Sequence, residues 1–84
     1  MDLKGILSTF IIDEIINEKS TLLKDNEQLI EAGIIDSFGI IKLISFIEKQ
    51  FEIKLDNDDL MPNNFENIRS ISNMISRKQN DANV

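Results

Sequence analysis

A hydroxyl stands next to a carboxylate at Asp36–Ser37, in the stretch GIIDSFG that spans residues 33–39. Ile34 and Ile35 precede the pair, and Phe38, Ile40 and Ile41 follow it. A serine nucleophile needs a base within reach. The chain has no histidine and no cysteine. The commonest general base and metal ligand is therefore missing, as are disulfides and thiolate metal sites. Asp36 adjoins Ser37 in sequence, but adjacency does not orient it as a base, and a carboxylate of ordinary pKa is a weak partner for a hydroxyl. A serine hydrolase is thus disfavoured. Asp56, Asp58 and Asp59 form the other chemically suggestive group. They lack the glycine and the twelfth-position glutamate of a calcium loop, so they read as caps and turn residues rather than metal ligands. Gly5, Gly33 and Gly39 have no phosphate-cradling spacing. No metal site and no catalytic residue is expected.

Composition narrows the class further. With 84 residues the chain holds one small domain, residues 1–84. Its 42% hydrophobic and 29% charged residues are a globular balance. The net charge of −6 disfavours nucleic acid, which needs clustered Lys and Arg, and favours partners with basic surfaces. The N-terminal apolar run is broken by Ser8, Thr9, Asp13 and Glu14, so neither a signal peptide nor membrane insertion is expected.

The elements that must hold Asp36–Ser37 read as all-α. Residues 2–18 form a first helix: Leu3, Ile6, Leu7 and Phe10 follow helical spacing, while Ile12 and Ile16 lie off that stripe. Residues 19–36 carry no clear period and form a long loop. Leu29, Ile30, Ile34 and Ile35 pin it to the core, and Gly33 supplies a turn with positive φ. Over residues 37–52, Ile40, Leu43, Ile44, Ile47 and Phe51 fall on one arc, the core face. Phe38 and Ile41 fall outside it beside Ser37, with Ser45 one turn on. Asp56, Asn57 and Asp58 cap a short helical turn through Leu60, which Pro62 stops. Asn67 caps a last helix over 67–78, built on Ile68, Ile71 and Ile75, and Arg77 and Lys78 suit its C-terminal end. Residues 79–84 form a frayed tail. The sum is a small antiparallel helical bundle of three main helices, one short helix and one long ordered loop between the first and second helices.

On residues alone, Asp36–Ser37 is first a helix cap, a role in which either residue contributes about 1 kcal/mol. Capping does not account for the outward apolar flank of Phe38 and Ile41. Such a cluster beside one serine reads as a docking surface.

From about Leu29 to Ile75 the chain resembles acyl carrier proteins and their peptidyl, aminoacyl and D-alanyl relatives. GIIDSF resembles their G-x-x-D-S-L/M attachment motif. The second helix matches in apolar spacing and ends in EKQF followed by an Ile-x-Leu pair. DDLMPNNF resembles the stretch around the short helix, and F-x-x-I-x-x-I opens the last one. The triplet alone is weak; the four in order are specific. Phe38 departs from the usual Leu or Met, and Asn67 from the usual Ser or Thr, and neither change alters the chemistry.

The resemblance implies that Ser37 is esterified by 4′-phosphopantetheine, donated from coenzyme A by a phosphopantetheinyl transferase. Asp36 then orients the modification. An arm ending in a thiol carries cargo as a thioester, which lets a chain without cysteine do thiol chemistry. Phe38, Ile41, Lys42 and Ser45 become the partner-reading face, and Phe46 a core contact to the last helix. The expected partners are the transferase, an acyl- or aminoacyl-loading ligase, and a downstream acyltransferase or synthase, met by a cytoplasmic monomer that is not itself an enzyme. The pattern leans towards aminoacyl and D-alanyl cargo, because Lys42 and Lys49 offset Glu48 and Glu52 on the second helix. The alternative is an unmodified helical adaptor that binds partners through the Phe38 and Ile41 face.

Overall fold

The computed structural model describes residues 2–18 and 22–82, with side chains through Asn80. Lys19, Ser20 and Thr21 of the expected loop, and the last two residues of the expected tail, lie outside the described residues. Three helices carry the fold and, among the described residues, no strand occurs: α1 is Leu3–Phe10, α2 is Ser37–Phe51 and α3 is Ile68–Ala82.

The first helix departs from the single α-helix expected over 2–18. Beyond Phe10 the chain winds as a π-helix over Ile11–Ile16 and ends at Asn17 in the left-handed region (φ 59°). The π segment reads IIDEII. Its β-branched residues gain little from regular α winding, and a π turn changes which side chains share a face. Ile11 is fully buried, and Ile15 and Ile16 both pack on the core. Of the two residues off the α-helical stripe, Ile16 thus packs on the core, while Ile12 is half-buried.

The loop is part of the core. Leu29 and Ile35 are buried and Ile34 is half-buried, whereas Ile30 stays exposed. The Leu29 N–H donates to the Glu66 carbonyl (2.9 Å), and the Leu29 carbonyl accepts from Ile34 and Ile35. Gly33 makes the bend between them at φ 73°, a conformation that costs glycine little. The Arg69 N–H donates to the Asp25 carbonyl. The Asp25 carboxylate pairs with Lys4 (3.1 Å) and Arg69 (3.6 Å), joining α1, the loop and α3 at one point.

Several expectations after α2 need correction. Residues Asn57–Leu60 form a hydrogen-bonded turn, not a helix, and Pro62 starts the short element instead of stopping one. That element is a 3₁₀ turn, Pro62–Phe65, with Phe65 buried beneath it. Proline suits a first helical position because its missing N–H would have no partner there. The last helix also runs to Ala82, past the expected end at residue 78. No glycine or proline follows Lys78 to stop it, so residues 79–82, expected to fray, are helical. Asn67 caps α3 as expected, its Oδ1 accepting from the Ser70 N–H (2.8 Å). Lys78 reaches from α3 to Asp59 (2.9 Å) and Asp56 (3.2 Å) of the turn.

Leu29→Ala would open a cavity where the loop meets the core and should destabilise the protein by about 2–5 kcal/mol, read as a lower denaturation midpoint at unchanged slope. Acid should act through the paired carboxylates. The hydrogen bond from Lys4, aided by Arg69, holds Asp25 below the usual carboxylate range despite partial desolvation. The Asp56 N–H, with Lys78, does the same for Asp59. Both pKa values are lowered on folding. Their stabilisation is therefore fully present above the unfolded-state pKa of about 4. It is lost as pH falls through the folded values. Asp25→Asn should melt lower than wild type at neutral pH, with the two melting curves converging below about pH 4.

Candidate functional site

The start of α2 is shaped by one backbone donor. Asp36 is the N-cap, in an extended conformation, and its Oδ1 accepts from the Gly39 N–H at 2.9 Å. Its carbonyl accepts from the Ile40 N–H, the first bond of the helix (3.0 Å). Capping therefore falls to Asp36, and Ser37, the first helical residue, keeps its hydroxyl free. Ser37 is exposed. The N–H groups of Ser37 and Phe38 meet no acceptor among the described residues. They leave a positive helix end beside an accessible hydroxyl, an arrangement that suits an anionic substituent.

The same turn is packed from below. Gly39 is buried. A Cβ there would lie 2.7 Å from Ile35 Cγ2 and 3.1 Å from Ile15 Cγ2. The loop and the π segment thus close on α2 at the one position without a side chain. Sequence reasoning passed over Gly39. The available signal was a glycine in the first turn of a helix, where alanine would be favoured unless another atom needs the space.

Phe38 is 77% exposed and Ile41 63% exposed, and Lys42 and Ser45 also face solvent. Ser37, Ile41 and Ser45 follow one another at four-residue intervals, about 6 Å apart along the helix. Ile41, Lys42 and Ser45 border an open groove of about 500 Å³ between α1 and α2, with Phe10 and Phe46 in its lining. All six residues expected at the site therefore lie on the cap or on the outward face of α2. Phe46 was expected to contact the last helix. Phe46 packs against the buried core, and its ring stacks on Phe10 of α1, with centroids 4.0 Å apart, and meets Phe51 edge-on at 6.4 Å. Its flank of α2 is the one turned to α1.

Asp56 and Asp59 of the turn are engaged elsewhere. Asp59 accepts from the Asp56 N–H and shares Lys78 with Asp56. Among the described residues no group of histidine, cysteine or carboxylate side chains is arranged to hold a metal ion. Among the same residues, no helix is long and apolar enough to cross a membrane.

A family model described as "Phosphopantetheine attachment site" matches residues 11–75, from the first π-wound residue to the middle of α3. A chain of the solved structure described as "Crystal structure of FAD-dependent dehydrogenase" is similar to this one at 28% identity, with a TM-score of 0.75 over 82% of this chain and 97% of that one. With the family match running through the π segment, the pinned loop, the whole of α2 and the first half of α3, the chain belongs to the phosphopantetheine-attachment family, whose members hold 4′-phosphopantetheine covalently and serve as carriers rather than enzymes.

Proposed function

We propose that Ser37 is the attachment residue and that the protein holds an acyl or aminoacyl group as a thioester on an arm anchored there, for presentation to partner enzymes. The observation that carries this reading is the division of labour at the start of α2. Asp36 caps the helix, so Ser37 is left exposed, beside N–H groups that meet no acceptor among the described residues. A phosphodiester at that point would be favoured by the positive helix end. In the modification, the Ser37 oxygen bonds to the pantetheine-side phosphorus of coenzyme A. The bond between that phosphorus and the bridging oxygen of the pyrophosphate breaks, adenosine 3′,5′-bisphosphate leaves with the bridging oxygen, and the hydroxyl proton passes to a base of the transferase. Ser37 needs no base of its own, in keeping with a chain that has no histidine. The arm then supplies the thiol that the sequence lacks.

Phe38, Ile41, Lys42 and Ser45 form the face that the transferase, the loading ligase and the downstream acyltransferase or synthase read. Large exposed apolar side chains beside a modification site fit such a face. Lys42 and Lys49 on α2 balance Glu48 and the C-cap residue Glu52, which favours partners chosen by apolar contact over strongly basic ones. It also leans towards aminoacyl or D-alanyl cargo. We read the chain as one carrier domain, a small antiparallel bundle working in the cytoplasm as a monomer. The chain matched in the dehydrogenase crystal is spanned almost end to end by this one. It is therefore itself a small helical unit, and that likeness adds no flavin chemistry here. The alternative of an unmodified adaptor draws on the same Phe38 and Ile41 face but gives the free, exposed serine no part to play.

Incubation with coenzyme A and a promiscuous phosphopantetheinyl transferase should raise the intact mass by one phosphopantetheine, and Ser37→Ala should abolish the gain. A wild-type chain that stays unmodified while a control carrier is modified would refute the assignment. Asp36 can be dissected in the same assay. Asp36→Ala should lower stability by about 1 kcal/mol through loss of the cap. Asp36→Asn caps equally well and should melt near wild type. If Asp36 orients the modification through its charge, both variants should be modified slowly.

A further inference from the structure

We infer that Gly39 is a positioning residue for the Ser37 hydroxyl, acting through a three-way closure of the π segment, the loop and α2. The inference rests on Ser37 being the attachment residue and goes beyond it by placing control of modification under the helix. Three elements meet at the Gly39 Cα. Ile15 is supplied by the π segment, which packs against α2, and Ile35 by the end of the loop. Asp36 lies above, its Oδ1 3.6 Å from where a Cβ would be. The Gly39 N–H is also the donor that the Asp36 carboxylate holds at 2.9 Å. The residue that admits the two isoleucines is thus the one that fixes the cap, and Ser37 lies between cap and donor.

A methyl group at residue 39 cannot be absorbed in place. Its 2.7 Å approach to Ile35 Cγ2 would have to open by about 0.7 Å to reach an ordinary contact of 3.4 Å. Neither Ile35 Cγ2 nor Ile15 Cγ2 is the far end of a flexible chain, since each is attached directly to a β-branched Cβ. Relief comes from moving the first turn of α2 off the loop, which carries Ser37 with it. Displacements of about 1 Å, even from a change remote from the chemistry, can cost about a hundredfold in rate. Phe38, Ile41, Lys42 and Ser45 stay on the same helix in the same mutual arrangement, so recognition by the transferase should persist while transfer suffers.

The test measures kcat and KM of a promiscuous phosphopantetheinyl transferase on the unmodified full chain by intact mass. Circular dichroism and amide hydrogen exchange are followed on the same samples. For Gly39→Ala we expect kcat to fall about tenfold or more, with KM within about twofold of wild type, at a temperature where the variant is folded. The amide of residue 39 should exchange faster. Ile35→Leu removes the offending Cγ2 with little change of volume, and in the Gly39→Ala background it should restore much of kcat. Ile15→Ala opens the same contact without adding bulk. It should also speed exchange at Gly39 and lower kcat, so the idea stays testable if Gly39→Ala does not fold. A folded Gly39→Ala or Ile15→Ala chain modified at the wild-type kcat would overturn the inference. So would a loss that only tracks the unfolded fraction. Lack of modification of the wild type itself would overturn the Ser37 assignment and this inference together. Normal modification of the wild type with normal kcat in the variants would overturn this inference alone.

Discussion

A single hydrogen bond, from the Gly39 N–H to the Asp36 carboxylate, organises the functional end of this protein. The first N–H groups of a helix have no partner within it, and something must meet them. Here the aspartate meets one by side chain and another by its carbonyl. Had Ser37 been the cap, its oxygen would have turned back onto the backbone. Because Asp36 takes that role, the hydroxyl is left at the surface, next to N–H groups with no acceptor among the described residues. Two adjacent residues with similar capping propensity are thus divided into a structural one and an available one by a shift of a single position.

That arrangement holds only if α2 begins at a fixed place, and the long loop provides this. Its apolar residues are the outer wall of the core rather than a cover laid over it. Leu29 is bound at its N–H to Glu66 and at its carbonyl to Ile34 and Ile35. Asp25, Lys4 and Arg69 tie the same loop to α1 and α3. These ion pairs are largely exposed, and exposed pairs contribute little each. Their value is in register: they converge on one carboxylate and keep the loop's entry beside the ends of two helices. The buried residues Leu29 and Ile35 then supply most of the free energy that keeps the loop in place.

The outward face of α2 follows from the inward one. Leu43 and Ile47 are fully buried, with Ile40, Ile44 and Phe51 around them, so Phe38 and Ile41 have nowhere to go but out. In an 84-residue chain with a thin core, two large apolar side chains left in water next to the free hydroxyl are a cost that a purely structural helix would avoid. A carrier that must be gripped by several enzymes in turn has a use for them. The near-neutral charge of the helix around them limits long-range steering and puts the weight of recognition on shape and apolar contact.

Periodicity in the sequence determined the three helices, the buried arc of α2 and the exposure of Phe38 and Ile41, because each depends on the order of apolar residues along one element. The D-S pair before that arc, and the order of motifs after it, were enough to indicate the family. Residue types placed Gly33 at positive φ and Asn67 at a cap, since both are properties of a few neighbouring atoms. Tertiary structure decided what depends on two elements meeting. The IIDEII segment winds as a π-helix, and Ile11, Ile15 and Ile16 of it pack on the core. Phe46 stacked on Phe10, Lys78 crossed to Asp56 and Asp59, and Pro62 opened a 3₁₀ turn over buried Phe65. Gly39 is the sharpest case. Its local context gives no reason for a glycine, because the atoms that require one belong to Ile15 and Ile35, brought to it by the fold.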